Sequence, residues 1–506
     1  MHAAAMAWLL CGLVHGEEPS PAVATVASPA TAPNSTNTAG LLNDWLRQQW
    51  SAASAWNVGG QTRLRYENKE DFAAPGWSHA PANGGGAVDF RQVGGDPNNS
   101  YLLYRQRLHL GYTPATWLTA YAEARESAAV NDDRRPSPDV DTFDLQQGYV
   151  VLGDPQAFPL TAKVGRQEMI YGDERLIGNA DWNNVPRTFD AAKLRYETQN
   201  FWVDAFASRV VLPLDGHFNL PNDYDWFSGL YASTRTLVPR QETQFYVLSR
   251  NVGLGSPNTI GPGLPAYATG ASPRDIYTVG FRIQSLPDQF GPWDYSAEMA
   301  GQFGHYKETT PGAPASVAGK NLAQEAMAAY AQIGYTWKEA FASPRVGLEY
   351  DYASGDSNPT DAKHQTFDNL FPTNHKFYGY MDFFSWQNIH DLRFMTSIKP
   401  LHQLTVTGDY HSFWLANTHD SFYTVAGLRR GGLGPTPAGG YGINPNYGSY
   451  VGSELDLVAT YAVKSYASAQ LGFGHFFVGD YVKSSLAGLG GATDANWVYV
   501  QMLFNF

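Results

Sequence analysis

Basic side chains recur at every second position of several short stretches, where they alternate with apolar residues. A guanidinium group keeps its charge and can bind a carboxylate through two parallel hydrogen bonds. Cations repeated along a polar passage would bind an anion weakly at several successive positions, so the anion could still move through. The basic residues on the polar face of these stretches are Arg63, Arg65, Arg105, Arg107, Arg125, Lys193, Arg195, Arg282, Arg345 and Arg393.

Acidic residues share this polar face, and they allow a structural explanation for the basic ones. Carboxylates on neighbouring strands could pair with the arginines and brace a protein wall. The stretches up to Arg125 are the best candidates for anion contact, because five arginines there meet two acids. The acids on the polar face are Glu67, Glu123, Glu197, Asp204, Glu298, Glu349, Asp351, Asp391, Glu454 and Asp456.

The two-residue period of these stretches is that of β-strands, whose successive side chains point to opposite faces. In one of them, Tyr277, Val279 and Phe281 alternate with Arg282 and other polar residues. One apolar face and one charged face are typical of a wall between lipid and a water-filled interior.

The connections between the predicted strands alternate between short and long. Short connections lie at 113–116, 153–159, 197–200, 233–241, 285–292, 338–343, 399–400 and 464–465. Long ones lie at 69–100, 129–142, 168–186, 212–223, 251–274, 306–322, 354–386, 415–449 and 480–494. This pattern predicts an all-β fold, a single antiparallel transmembrane barrel of about 18 strands with short periplasmic turns and long extracellular loops. Because so wide a wall cannot be filled by its own side chains, we expect an aqueous channel.

The last ten residues also favour a barrel. Val498, Val500, Met502, Phe504 and Phe506 share one face of a strand. An apolar strand that ends on Phe resembles the segment that the barrel-assembly machinery recognises, so we expect that machinery to be a partner through Phe506. Outer-membrane lipid would surround the barrel, and we expect a monomer.

Composition limits the other partners and divides the chain. A net charge of -13 argues against nucleic acid. The apolar stretch Ala3–Val14 predicts a signal peptide at residues 1–16. Residues 17–55 would form a flexible periplasmic N-terminal segment, and residues 56–506 the barrel. The single cysteine, Cys11, lies in the predicted signal peptide, which excludes disulfides and thiolate metal sites from the mature chain.

Residues for catalysis are not evident in this sequence. No Gly-x-Ser-x-Gly motif is present, so an outer-membrane barrel enzyme is the least favoured of the functions considered. Acids and histidines between Asp351 and Asp382 could bind a divalent cation if several oxygens converged, which the sequence leaves open. We therefore assign no catalytic residue, cofactor or metal.

Two long segments carry a family resemblance. Residues 165–196 contain Gly-Arg-Gln, Tyr-Gly-Asp and Arg-Thr-Phe-Asp, and residues 350–388 contain Ala-Ser-Gly-Asp, Asp-Asn-Leu-Phe-Pro and Gly-Tyr-Met-Asp. In this order, and with the hairpin motifs near 453–481, the chain resembles the alginate export family of outer-membrane barrels over residues 56–506. The resemblance implies an eighteen-stranded barrel of the bacterial outer membrane, whose arginine-lined interior passes an anionic polysaccharide.

The resemblance also suggests site residues in a loop. It implies that the segment after residue 167 folds inward and carries Asp173, Glu174, Arg175 and Arg187 to a constriction. Arg166 precedes this loop, and strict alternation would turn it toward lipid. Either a bulge shifts the strand phase there or Arg166 lies at the rim.

The cargo remains open between two kinds of solute. An alginate-like anionic polysaccharide is the first hypothesis. The alternative is a general or anion-preferring porin for small solutes such as acidic sugars.

Overall fold

The computed structural model describes residues 40–72, 89–91, 97–134, 137–256, 271–310, 312–431, 433 and 440–506. The predicted signal peptide and residues 17–39 lie outside this part of the chain. None of the helices among the described residues is long and apolar enough to cross a membrane.

Nineteen strands form one sheet. They are β1 Trp56–Glu70, β2 Asn99–Ala115, β3 Leu118–Val130, β4 Asp141–Leu152, β5 Leu160–Gln167, β6 Phe189–Glu197, β7 Phe201–Leu212, β8 Leu220–Thr234, β9 Gln241–Val252, β10 Arg274–Ser285, β11 Trp293–Lys307, β12 Asn321–Thr336, β13 Arg345–Ala353, β14 Lys363–His364, β15 Ile389–Leu401, β16 Leu404–Leu415, β17 Tyr450–Lys464, β18 Ala467–Val478 and β19 Ala495–Asn505. The helices are α1 Leu41–Gln49 and α2 Asp480–Leu486, with 3-10 turns at Ser51–Ala55, Asn374–Lys376 and Ala487–Leu489.

The sheet closes on itself as an antiparallel barrel. Each long strand pairs with its neighbours in the chain, and β1 pairs with both β2 and β19. At the closing seam, Leu64 lies opposite Met502, and the backbone groups of Gly60 and Phe506 exchange two hydrogen bonds of 3.0 Å. Eighteen strands form the wall, and the two-residue β14 adds parallel to β12. The predicted barrel and its strand number are confirmed.

The alternation of side chains divides the wall into two faces. On β1, Leu64 and Tyr66 are exposed on the outer face, whereas Arg63, Arg65 and Glu67 are buried on the inner face. The same pattern recurs around the barrel, and short turns alternate with long loops as predicted. An apolar outer face and a polar inner face are what lipid outside and water inside require.

Residues 41–49, in the last part of the predicted N-terminal segment, form the helix α1 at the short-turn end of β1. The side chain of Asn43 joins the helix to the wall. Its Nδ2 donates to Asn57 Oδ1 at 2.7 Å, and its Oδ1 accepts from the Val58 N–H at 2.7 Å.

Two long loops fill much of the interior, and we call residues 168–188 inner loop 1 and residues 354–388 inner loop 2. Inner loop 1 touches nearly opposite sides of the barrel: Tyr330 on β12 donates to Asp173 at 2.6 Å, and Asp181 pairs with Arg107 on β2 at 2.6 Å. A segment that reaches both walls must cross the interior.

Inner loop 2 packs against inner loop 1 and the wall. The Phe371 N–H donates to the Leu176 carbonyl at 2.9 Å, and the Gly178 N–H donates to the Phe371 carbonyl at 2.8 Å. On the far side, the Met381 N–H donates to Glu454 on β17 at 2.7 Å. The aromatic core of the molecule therefore lies between the two inner loops and the wall, with Trp386 wholly buried in it.

Candidate functional site in the barrel interior

A group of arginines on β1 and β2 faces residues 181–183, which we call the tip of inner loop 1. Arg63 lies directly opposite Arg105 in the strand register, and Arg65 and Arg107 lie two positions away on the same face. Strand alternation places all four guanidinium groups on the inner wall. Pairing of the two strands brings together cations that lie far apart in the chain.

The carboxylate of Asp181 lies in the middle of this group, and Arg65 also pairs with Glu67 on its own strand at 2.8 Å. Asp181 Oδ1 is 2.6 Å from Arg107 Nη2 and 3.1 Å from Arg105 Nη1. Arg105 Nη2 donates to Asp181 Oδ2 at 3.2 Å. Partial desolvation inside the barrel would by itself raise the pKa of Asp181, but Arg105, Arg107 and Arg63 outweigh it and hold the pKa below its ordinary value. Asp181 is therefore ionised and acts as a bound anion.

The backbone carbonyls of the loop tip bind the same arginines. Arg63 donates to the Asp181 carbonyl at 2.8 Å and to the Asn183 carbonyl at 3.0 Å. Arg65 donates to the Trp182 carbonyl at 2.7 Å, and its guanidinium lies 3.7 Å from the centre of the Trp182 ring. The arginines thus hold the main chain of the tip as well as one carboxylate.

Arg125 on β3 belongs to the same wall but has a closed set of partners. It forms an ion pair with Asp141 and donates to Gln146 Oε1 and Ser127 Oγ, each at 2.7 Å. Because its partners are all buried, its contacts brace the wall, as the alternative explanation of the sequence pattern expects.

Three cations form a second group on the inner face of β5 and β6, near the short-turn end. Lys163 lies directly opposite Lys193, and Arg195 is two positions farther along β6. The carboxylate of Asp204 forms ion pairs with Arg195 at 2.6 Å and with Lys193 at 3.4 Å. Lys163 lies 3.7 Å from the centre of the Tyr149 ring, and none of the described carboxylates is within 4.0 Å of it.

Sequence reasoning missed Lys163 as a candidate, although the signal was present. The outward assignment of Leu160, Ala162 and Val164 turns Lys163 inward by simple alternation. Like charges directly opposite each other on neighbouring strands repel, so this pair is unfavourable for the wall alone.

The loop residues suggested by the resemblance do lie inside the barrel. Asp173 accepts from Arg282 on β10 at 2.5 Å and from Tyr330 on β12 at 2.6 Å. Burial would raise the pKa of Asp173, but Arg282 and the Tyr330 hydroxyl outweigh it and lower the pKa. Arg187 donates to the carbonyls of Gly178 and Pro372, each at 2.9 Å, and so joins the two inner loops.

Arg175 and Arg393 share one buried acid. Arg175 lies 2.9 Å from Glu349 and 2.5 Å from Asp351, both on β13. Arg393 on β15 lies 3.5 Å from Glu349 and 2.7 Å from Asp409. These four pairs connect inner loop 1 to three wall strands, so their first role is structural.

Arg345 is the most exposed of the predicted arginines that remain. It pairs with Asp294 at 2.6 Å, and 24% of its side chain is exposed. The pair lies close to the short turns, where β11 and β13 begin.

Arg166 does not face the interior. The β4–β5 and β5–β6 registers run without a bulge, so Arg166 stays in the outward phase of Leu160 and Val164. It lies at the long-loop rim, where it pairs with Asp190 at 2.8 Å and donates to the Asn219 carbonyl at 2.8 Å. Of the two alternatives for Arg166, the structure therefore shows the rim, because the strand keeps its phase up to its end.

The acids and histidines of inner loop 2 do not converge. Among the described residues, no group of three or more His, Cys, Asp or Glu side chains is arranged to hold a metal ion. His375 pairs instead with Asp382 at 3.0 Å and stacks on Trp182 at 4.0 Å. These contacts fasten inner loop 2 to the tip of inner loop 1.

Several solved bacterial structures share this architecture, and one of them is a porin. A BenF-like porin from Pseudomonas fluorescens Pf-5 has a TM-score of 0.52 at 11% identity, over 89% of this chain and 99% of that chain. OpdQ of Pseudomonas aeruginosa has a TM-score of 0.51 at 12% identity, over 90% of this chain and 98% of that chain. OccK9 (OpdG) of the same organism has a TM-score of 0.51 at 12% identity, over 90% of this chain and 99% of that chain. At these identities the likeness concerns the fold.

Sequence comparison gives the family. No curated protein matches the sequence. The profile of the alginate export family matches residues 87–487, well over half of the chain. The match includes both inner loops and the strands β2 to β18. The chain therefore belongs to the alginate export family and forms a β-barrel channel of the bacterial outer membrane.

Proposed function

We propose that this channel passes carboxylate-bearing saccharides, with an alginate-like polyuronate as its cargo. The observation that carries the proposal is the cation group of Lys163, Lys193 and Arg195 on the inner wall. It lies near the periplasmic turns, at the side from which an exported polymer would arrive.

The contacts of this group favour anion binding over bracing. Asp204 and Glu197 form ion pairs with Lys193 or Arg195, and no carboxylate of the described residues lies within 4.0 Å of the Lys163 ammonium group. The Lys193 side chain is 23% exposed, so an incoming carboxylate can reach it. Lysine binds anions as a compact charge on a flexible stem, which suits transient contact with a moving chain.

The arginines of β1 and β2 supply a second level of cations farther into the barrel. A polyuronate carries one carboxylate on each sugar, so successive sugars could occupy the two levels together. Weak contacts repeated along a pore support conduction, since each can be released as the next one forms.

A second candidate is a channel for small acidic solutes. It is favoured by the packing of the two inner loops, because Phe371, Tyr378 and Trp386 are wholly or almost wholly buried between loops and wall. A polymer would need these loops to move, whereas a single sugar acid needs less displacement.

Planar-bilayer recording tests both candidates. We expect the purified protein to conduct with anion preference, and we expect polymannuronate or polyguluronate to block the current at concentrations where neutral dextran does not. Anion preference without polymer block would reject the polyuronate and leave the small-solute channel. Cation preference would reject both.

A further inference from the structure

We propose that Arg63, Arg105 and Arg107 form a carboxylate-exchange site, in which Asp181 is the resident ligand and a carboxylate of the solute replaces it. This inference rests on the proposed function, because it requires an anionic solute in the interior. It adds an internal competitor that sets how tightly the site holds its cargo.

The resident ligand identifies the chemical class of the external one. Asp181 is held by Arg105 through both oxygens, at 3.1 and 3.2 Å, and by Arg107 at 2.6 Å. Paired N–H donors that match the two oxygens of a carboxylate are the preferred recognition geometry of guanidinium groups. A uronate carboxylate presents the same two oxygens in the same plane.

The solvent exposure of Asp181 and of the arginines that bind it differs in the way that exchange requires. The Asp181 side chain is 44% exposed, whereas the side chains of Arg105 and Arg107 are 1% and 11% exposed. The cations are thus fixed in the wall, and the anion is the accessible partner. In a structural pair such as Arg250 with Asp225, both side chains are wholly buried.

Two of the arginines have few carboxylate partners. Among the described residues, Arg63 and Arg105 have no carboxylate within 4.0 Å other than the one from Asp181 to Arg105. The Nε atoms of Arg63, Arg105 and Arg107 are buried and have no hydrogen-bond acceptor in the described part of the chain. Arg107 also lies 3.5 Å from Glu168 and 3.8 Å from Glu123, so it stays partly compensated when Asp181 leaves.

The loop tip does not depend on the carboxylate for its position. Arg63 holds the carbonyls of Asp181 and Asn183, and Arg65 holds the carbonyl of Trp182. The Asp181 side chain can therefore turn away while the main chain of the tip stays in place.

The test compares glucuronate block of single-channel current in the wild type and in Asp181→Asn. Asparagine keeps the shape of the side chain and removes its charge, so the external carboxylate no longer competes with an ion. We expect half-maximal block at a glucuronate concentration about tenfold or more below that of the wild type, as a lost charge-assisted competitor implies. Glucose, which has no carboxylate, should not distinguish the two proteins.

A matched control is Asp223→Asn, which removes a carboxylate from an exposed pair with Arg209 on the outer face of β7. Half-maximal block of the current through this variant should need the same glucuronate concentration as in the wild type. Equal block concentrations for wild type and Asp181→Asn would overturn the exchange site, and so would an equal decrease in Asp223→Asn.

A second variant removes the dependence on how Asp181→Asn folds. Asp181→Cys can be labelled after insertion with a sulfonate-bearing or a neutral thiol reagent, because residues 40–506 contain no native cysteine. The sulfonate label should restore wild-type block, and the neutral label should keep the lower concentration. Identical block with both labels would overturn the proposal.

These results separate the inference from the proposed function. Anion preference and polyuronate block with no effect of Asp181→Asn would reject the exchange site alone. Absence of anion preference in the wild type and in all variants would reject the proposed function, and with it the proposed external ligand of the site.

Discussion

Arg175 Nη1 lies 2.5 Å from Asp351 Oδ1, and this ion pair joins inner loop 1 to the wall strand β13. The other terminal nitrogen lies 2.9 Å from Glu349, and the guanidinium lies 3.6 Å from the centre of the Tyr330 ring. Two carboxylates are buried in the wall at this point, and a residue of the loop supplies the cation that their burial requires. The barrel and its loop are therefore electrostatically interdependent.

Replacing Arg175 should loosen the loop and destabilise the protein. Arg175→Gln leaves Asp351 without its cation, and breaking a buried ion pair typically costs about 3–5 kcal/mol. We expect a lower temperature for the heat-induced mobility shift in gel electrophoresis and a larger or less steady channel current. Arg345→Gln is the control, because its pair with Asp294 is partly exposed and should contribute about 0–1 kcal/mol. Equal effects of the two variants would contradict this role of Arg175.

Neutralising the lysines of β5 and β6 should weaken anion preference. Lys163→Gln with Lys193→Gln removes two charges from the inner wall, and the reversal potential in a salt gradient should move toward that of a non-selective channel. Lys338→Gln is a matched control, because Lys338 lies in an exposed turn and pairs with Asp288. A reversal potential unchanged in the double variant would reject these lysines as contacts for the solute.

Stability should depend on pH through Asp356 in inner loop 2. Burial raises the pKa of Asp356 to about 6, against an opposing hydrogen bond from the Asn358 N–H. The folded protein then keeps a proton that the unfolded chain loses near pH 4, so the free energy of unfolding should fall as pH rises from about 4 to about 6. Above that range the contribution should be level.

Thermal unfolding measured between pH 4 and pH 7 checks this sign. Asp356→Asn should flatten that part of the profile, because asparagine does not titrate and can still accept from Asn358. Glu339→Gln, in the exposed turn between β12 and β13, should leave the slope as it is. A profile in which Asp356→Asn keeps the full slope would assign the effect to another group.

Block by a polyuronate should weaken as salt increases. The screening length falls from about 10 Å at 0.1 M salt to about 3 Å at 1 M salt, so attraction of the polymer to partly exposed cations such as Lys193 is reduced. We expect the half-blocking concentration to rise steadily with potassium chloride. Salt-independent block would mean that uncharged contacts hold the polymer.

The sequence alone was enough to predict the barrel. Alternation in stretches such as Tyr277–Ile283, together with alternating connection lengths, encodes strand period and turn order, and both are local properties of the chain. Closure of β1 on β19 follows from an even number of strands in up-and-down order. The inward phase of Arg63, Arg65, Arg105 and Arg107 is local in the same sense, and the structure agrees with it.

Only the tertiary structure decided what those arginines contact. Asp181 meets Arg107 across 74 positions of sequence, and Arg175 meets Asp351 across 176. Such pairs depend on how a long loop folds back, and no periodicity in the chain encodes that path. Arg166 shows the same limit, because the end of a strand and the loop over it determine whether a side chain reaches lumen or rim. Strand phase is a property of neighbouring residues, whereas the partners of a charge are chosen by the packing of the whole barrel.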